Sequence, residues 1–342
     1  MSRITIVTGG STPERNVAFA GAAQVVQVLR SAGHFVSVID TATGALAASI
    51  EAQLLKPDVG RLPPTQEELR SLAERENLRD IVQLPELRLA DVVFPILHGR
   101  QGEGGELQAL FDDAGLPYAG SDSAASALAM DKNASKQAFF AAGIPTQPWL
   151  LWPTDTDSID ELGFPLIVKP SKVGSSVGIS VVHSHEDLSA AIDLATLYDN
   201  DVILEKFSPG RELTVGVLGD RALAVGEIRP SHELFDYECK YTPGMTEEVF
   251  PARIDATKRS LLQNQALAAH RALGLRDFSR VDFKEDANGV PQCLEANTLP
   301  GLTSTSLLPQ SAAAAGISFG DLVEQICSMV ISRAQTGNKD YP

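Results

Sequence analysis

The sequence predicts a mixed α/β (α+β) chain of two or three domains that opens with a parallel α/β unit. Three observations carry this. At 342 residues the chain exceeds one typical core. Its first forty residues run strand, loop, helix, strand, the start of a parallel sheet. From Phe164 the pattern switches to strands, and residues 213–218 and 222–228 read as an antiparallel pair.

Residues 4–8 are an apolar run that reads as a buried strand, followed by Gly9-Gly10. A helix is predicted over 13–32, because Val17, Ala20, Gly21, Val25 and Val28 recur at helical spacing. Residues 34–40 form the next strand. Residues 41–88 resist reading: Pro57, Pro63 and Pro64 interrupt them, and 65–77 suggests a charged surface helix. A buried strand follows at 90–97, then a glycine-rich loop and a helix over 106–114. Residues 121–142 read as one helix, which Pro145 closes off. Strands are predicted at 165–169, 179–182 and 202–205, with a helix over 185–198. Beyond the antiparallel pair come a helix over 257–273, a hairpin over 277–297 and a closing helix over 318–332. Breaks between domains fall near 122 and 206.

Hydrophobic residues make up 44% of the chain, ample for such cores. A net charge of −16 argues against binding nucleic acid or an anionic membrane, although a local lysine cluster can still hold a phosphate. Three cysteines, Cys239, Cys293 and Cys327, are too few and too odd for a disulfide framework and fit a reducing compartment. No signal peptide or bilayer-length apolar stretch is read, so a cytoplasmic location is expected.

The hairpin is the most informative segment. Asn288-Gly289 between two alternating runs predicts a two-residue turn. Ala287 then faces Val290, Asp282 faces Glu295 and Arg280 faces Asn297. Side chains alternate along a strand, so these last four share one face, and Val281, Phe283, Leu294 and Ala296 share the other, toward a core. Two carboxylates and an amide oxygen suit a hard cation such as Mg2+, and Arg280 suits a developing anion. The competing reading is a solvated outer face.

Other motifs are weaker singly. The loop Lys169-Pro-Ser-Lys-Val-Gly-Ser-Ser-Val-Gly178 offers backbone N–H groups, hydroxyls and lysine to a phosphate, but it is not a Walker A loop. Glu205-Lys206-Phe207 ends a strand whose edge would suit an adenine, with Glu212 near enough in sequence to take ribose hydroxyls. Ser11-Thr-Pro-Glu14 is a capping-box pattern. Glu14 therefore either caps a helix or stands at the carboxyl edge of a parallel sheet, where ligands bind and it could hold an ammonium. His98 opens a glycine-rich strand-to-helix loop. The long polar loop 231–249, containing Lys240-Tyr241, reads as a lid or as a mobile excursion.

Taken together, these pieces resemble the ATP-grasp superfamily, and within it the D-alanine–D-alanine ligases. The carrying motifs are Gly-Gly-x-x-x-Glu-Arg from Gly9, Phe94-Pro-x-Leu-His-Gly, Gly115-Leu-Pro-Tyr-x-Gly-Ser121, Met130-Asp-Lys132, the 169–178 loop, Glu205-Lys206 with Arg211-Glu212, Asp236-Tyr-Glu-x-Lys-Tyr241, Arg280-x-Asp282, and the run from Leu294 through Pro300-Gly301 to Ser306-Leu307. The resemblance implies a three-domain fold: an N-terminal Rossmann-like substrate domain (1–122), a central ATP-grasp subdomain (123–206) and a C-terminal one (207–342) carrying the metal and substrate site. ATP would lie clamped between the last two.

It further implies that Lys132 and Lys169 hold ATP phosphates and that Ser175 and Ser176 belong to a phosphate lid. Glu205, Lys206, Phe207, Glu212 and Lys240 would complete the nucleotide site. Asp282, Glu295 and Asn297 would hold two Mg2+ (or Mn2+) ions. Glu14, Val17, His98, Arg280, Gly301, Ser306 and Leu307 would surround the amino acids, with Tyr241 and Ser175 tying the lid to Glu14. Lys240-Tyr241 resembles the dipeptide-forming type rather than the depsipeptide type. A homodimer is implied as well. The family's usual residues are replaced by Asn16, Ala18 and Gly104 on the first-substrate side. Ligases of other amino acids and a non-catalytic nucleotide binder are the competing readings.

Overall fold

A computed structural model describes residues 1–57, 64–174, 176–232, 239 and 244–336. Ser175, Lys240, Tyr241 and most of the 231–249 loop, on which the lid expectation rests, lie outside the described residues.

The first sheet is built from β1 (Arg3–Thr8), β2 (Phe35–Asp40), β3 (Gly44–Ala45) and β4 (Val92–Pro95), in the order β3-β2-β1-β4. β1 is parallel to both β2 and β4, as the strand-helix-strand start requires. The helix Arg15–Ser31 buries Val25, Val26 and Leu29 against Ile4 and Ile6. The same apolar cluster takes in Phe278, Leu299 and Leu302, and Leu322, Val323, Ile326 and Val330 of the last helix, Phe319–Thr336. Residues from both ends of the chain therefore close one core.

The second sheet contains β5 (Trp149–Trp152), β6 (Leu166–Pro170), β7 (Ser180–Val182) and β8 (Val202–Lys206), ordered β5-β8-β6-β7 and antiparallel. The helix His185–Thr196 packs Leu188, Ala191, Ile192 and Ala195 on it. The third comprises β9 (Glu212–Leu218), β10 (Arg221–Pro230), β11 (Thr246–Val249), β12 (Phe278–Glu285) and β13 (Pro291–Asn297), in the order β11-β10-β9-β12-β13. The helix Ala256–Ala272 buries Leu262, Ala266 and Ala269 against it.

Asp277 ties the first sheet to the third. Its carboxylate accepts from Gly120 N (2.9 Å) and from both terminal nitrogens of Arg333, and its φ of 61° is left-handed.

Several expectations need correction. The predicted helix over 121–142 is two, Ser123–Met130 and Lys132–Ala141. Asp131 separates them, with its extended backbone and a side chain that accepts from Ala134 N (3.1 Å). Aspartate satisfies the free N–H groups of a new helix better than it continues an old one. The Ser11–Glu14 capping box does not form, because Glu14 itself is the N-cap and makes no side-chain cap bond. A capping box exists instead between Thr65 and Glu68, at the start of the helix Gln66–Arg75 in the segment that resisted reading. Just past that helix, Glu76 accepts from Ser11 Oγ and Thr41 Oγ1 and so buttresses the loop after β1.

The hairpin turn is also not the predicted one. Asp286, not Ala287, faces Val290: Asp286 N donates to Val290 O at 3.0 Å, and Gly289 takes a φ of 74°. The loop is one residue longer, and the pairs next to it are Glu285↔Pro291, Lys284↔Gln292 and Phe283↔Cys293. A bulge at Leu294 then restores the expected partners, Asp282↔Glu295, Val281↔Ala296 and Arg280↔Asn297. Two displacements cancel, and the four polar residues keep one face. The bulge moves Leu294 out of the predicted core, and the fully buried Cys293 takes its place.

Candidate active site

Two cavities meet at β12 and β13, one beyond the carboxyl ends of β1 and β4, the other between the second and third sheets. The first, about 250 Å³, is lined by Glu14, Val17 and His98 from the N-terminal segment and by Asn297, Gly301, Ser306 and Leu307 from the C-terminal segment. The second, about 140 Å³, is lined by Lys169, Ser176, Glu205, Lys206, Phe207, Glu212 and Asp282. Lys132, Gly174, Arg280 and Glu295 line both, so these residues form a shared wall. Every described residue singled out from the sequence as a site residue borders one cavity or the other.

The shared wall is built on β12, β13 and the start of the helix Lys132–Ala141. Arg280 donates from Nε to Asp282 Oδ1 (2.9 Å) and from Nη2 to Asp282 Oδ2 (2.7 Å). Asp282 also accepts from Thr214 Oγ1 (2.6 Å) and Asn297 Nδ2 (2.9 Å). Burial works against the guanidinium charge, but the adjacent carboxylate outweighs it and holds Arg280 firmly protonated. Lys132 is the first residue of its helix; its Nζ donates to Val173 O (2.8 Å) and lies 3.4 Å from Glu295 Oε2. Asp131 and Ser171 hold that helix start to the loop after β6 (Ser171 Oγ to Asp131 Oδ1, 2.8 Å). Among the described residues no three His, Cys, Asp or Glu side chains cluster as a metal site. The Asp282, Glu295 and Asn297 set reaches three donors through an amide, and its hard oxygens fit Mg2+ or Mn2+.

In the first cavity the loop carrying Glu14 is held by Arg15, which donates to Gly10 O (2.6 Å) and pairs with the fully buried Asp40. His98 is surrounded by protein yet open to the cavity; burial lowers its pKa, with the nearby Glu14 charge opposing. Glu103 lines the same space and accepts from Gly99 N (3.0 Å) and Leu299 N (3.4 Å). Burial, reinforced by Glu14, pushes its carboxyl up to about 8. A Cβ on Gly301 would stand 2.8 Å from Ser306 Oγ, so a side chain there would displace Ser306. The Ser306 hydroxyl lies 2.8 Å from Thr303 Oγ1, at the N-terminus of the helix Leu307–Ala314.

The nucleotide expectations need two changes. β8 is an interior strand, so Glu205-Lys206-Phe207 is no free sheet edge: Lys206 N donates to Pro148 O and Phe207 N to Pro165 O. Glu205 is 2% exposed, and each carboxylate oxygen is taken by a lysine, Lys136 on one side and Lys169 on the other. Its burial would raise the pKa, but the two ammonium groups pull it down to about 2. Glu212 accepts from Lys284 Nζ at 3.2 Å.

Glu103, Lys136 and Leu294 were missed. Lys136 carried a readable signal, because it follows Lys132 by one helical turn. The glycines around Glu103 hinted at a closely packed loop. Leu294 could not be found without the bulge. The three departures, Asn16, Ala18 and Gly104, do not line the first cavity. Ala18 is buried, and Asn16 opens on a separate surface groove beside the helix Gln66–Arg75.

Comparison with known proteins matches this arrangement. A family model described as D-ala D-ala ligase N-terminus covers residues 3–121, and one described as D-ala D-ala ligase C-terminus covers residues 140–328. The D-alanine–D-alanine ligase of Geobacter sulfurreducens is 39% identical over 329 residues, 95% of this chain and 93% of that protein. The crystal structure of the Bacillus anthracis D-alanine–D-alanine ligase complexed with ATP superposes with a TM-score of 0.78 at 28% identity, covering 98% of this chain and 99% of that one. The VanG D-Ala:D-Ser ligase of Enterococcus faecalis superposes with a TM-score of 0.77 at 29% identity over 96% of this chain and 99% of that one. With its three sheets, two adjoining cavities and full-length matches, the chain belongs to the D-alanine–D-alanine ligase family and has the ATP-grasp fold.

Proposed function

We propose that the protein joins two D-alanines into D-alanyl-D-alanine at the expense of ATP, for peptidoglycan precursors. The observation that carries this reading is the shared wall. Lys132, Arg280 and Glu295 border both a space lined by lysines and a space lined by Glu14 and Ser306, so a phosphoryl group could pass between them.

In this reading the second cavity holds ATP, with Lys132 and Lys169 on the phosphates, Ser176 in the covering loop and Glu212 toward the ribose. Glu14 takes the ammonium of the first D-alanine. The carboxylate oxygen of that D-alanine attacks the γ-phosphorus, ADP leaves, and a D-alanyl phosphate forms. The amine of the second D-alanine attacks the acyl carbon and loses a proton, and phosphate departs. Arg280 and the Gly301 N–H face the oxyanion of that step. Ser306 and the backbone N–H groups at the start of the helix Leu307–Ala314 receive the second carboxylate. Asp282, Glu295 and Asn297 would hold Mg2+ or Mn2+, which when bound supplies the positive charge that lets a carboxylate approach a phosphate. Ser175, Lys240 and Tyr241 are assigned to the lid and its tie to Glu14, closing the site against water.

The division into 1–122, 123–206 and 207–342 belongs to this reading, as do a homodimer and a cytoplasmic location. The net charge of −16 supports small-molecule substrates rather than nucleic acid or a membrane surface. Among the described residues no single helix is long and apolar enough to cross a membrane. The test is purified protein with ATP, Mg2+ and a mixture of D-amino acids, with the product identified by mass. D-alanyl-D-alanine is expected. Phosphate release absent with D-alanine yet present with another amino acid would sink the assignment.

A further inference from the structure

We infer that Lys136, which lines neither cavity, is a positioning residue that keeps the charge of Lys169 available to a nucleotide phosphate. The inference rests on the nucleotide reading of the second cavity. Lys136 is fully buried. Its Nζ donates to Glu205 Oε1 (2.6 Å) and Thr146 Oγ1 (2.6 Å), and it lies 5.2 Å from the centre of the Trp149 ring. Thr146 Oγ1 in turn donates to Cys293 O (2.8 Å), which anchors the group to β13. On the opposite side, Glu205 Oε2 accepts from Lys169 Nζ.

One buried carboxylate thus stands between two ammonium groups, and the trio carries a net charge of about +1 when all three are ionised. Of the two lysines only Lys169 lines the cavity. Without Lys136, Glu205 and Lys169 would close into a neutral pair, and an incoming phosphate would have to compete with Glu205 for the ammonium. With Lys136 present the carboxylate is already half satisfied, so Lys169 retains charge for a ligand. This arrangement also explains why Glu205 stays ionised although buried. The helix Lys132–Ala141 then serves the site twice, with Lys132 at the shared wall and Lys136 one turn further, beneath Glu205.

The test measures binding of ATP and of adenosine by calorimetry, without amino acids, in the wild type, K136M and K136M/E205Q. Failure of the wild type to bind ATP would refute the nucleotide reading itself. If that reading holds, K136M is expected to bind ATP about tenfold more weakly and adenosine unchanged, since Glu205 then pairs fully with Lys169 and the net charge of the group falls from about +1 to about 0. K136M/E205Q returns the net charge to about +1; because Glu205 itself borders the nucleotide cavity, its ATP binding is read relative to adenosine, and that ratio is expected to recover to within about threefold of wild type. Equal weakening of ATP and adenosine in K136M would mean a merely structural role and would overturn the inference. So would a folded double variant whose ATP binding relative to adenosine is no better than that of K136M. If K136M does not fold, the double variant decides alone: ATP binding far below wild type, with adenosine unaffected, overturns it.

Discussion

Replacing Glu103 with glutamine should remove a pH-dependent instability that the first cavity builds into the protein. The Glu103 carboxyl is held at about 8, from an ordinary value of 4.5, first by burial and then by Glu14. A carboxyl whose pKa is raised on folding binds more protons folded than unfolded, so stability falls as pH rises between the two values. The contribution is intact below the unfolded pKa and lost by about pH 8. One proton corresponds to roughly 1.4 kcal/mol per pH unit, so this group removes roughly 2–3 kcal/mol between about pH 5.5 and about pH 7.5. Glutamine cannot ionise and keeps one oxygen, so it retains one of the two bonds that Gly99 N and Leu299 N make to different carboxylate oxygens; the lost bond is a cost independent of pH. Urea unfolding of the wild type and Glu103→Gln across this window reads Glu103 together with its coupling to Glu14, because the remaining titrations are common to both. The variant should gain on the wild type by that amount as pH rises. A stability difference independent of pH would refute the reasoning.

Other outcomes follow from the same geometry. Glu295→Ala should cut kcat by roughly a hundredfold or more while the circular dichroism spectrum is kept; intact ligation would remove the metal assignment. Asp277→Ala loses the bonds from Gly120 N and Arg333 and leaves alanine in a left-handed conformation. It should destabilise the protein by about 3 kcal/mol in denaturant unfolding, and a loss under about 1 kcal/mol would show that this seam carries little. Gly301→Val should displace Ser306 and raise the KM for D-alanine about tenfold with the KM for ATP unchanged; an equal rise in both would contradict the placement of Gly301.

Much of the fold was legible because periodicity is local. β1 follows from its apolar run and the helix Arg15–Ser31 from apolar residues at helical spacing, and the shared face of Arg280, Asp282, Glu295 and Asn297 follows from the period of two along a strand. That face was read correctly even though the turn was not, since the longer loop and the bulge at Leu294 displace the register in opposite directions. The break at Asp131 was hidden because the residues on both sides favour helix, and only the cap made to Ala134 N distinguishes two helices from one. The 41–88 segment was opaque for another reason. It packs Ile81 and Leu87 into a core with Val7, Ile39 and Val93, but from the helices Leu78–Ile81 and Pro85–Arg88, each too short to display a helical period.

The sequence by itself determined which chemical groups are present, which of them share a strand or helix face, and the family whose ordered motifs they match. Tertiary structure decided what those groups do to one another. It put Glu205 between Lys136 and Lys169 instead of at a sheet edge, moved Leu294 out of the core, and raised Glu103 beside Glu14. It also kept Asn16, Ala18 and Gly104 off the cavity walls. The physical reason is range. Side-chain alternation depends on neighbours a few residues away, whereas burial and charge pairing depend on groups such as Lys136 and Glu205, which lie 69 residues apart in sequence and 2.6 Å apart in space.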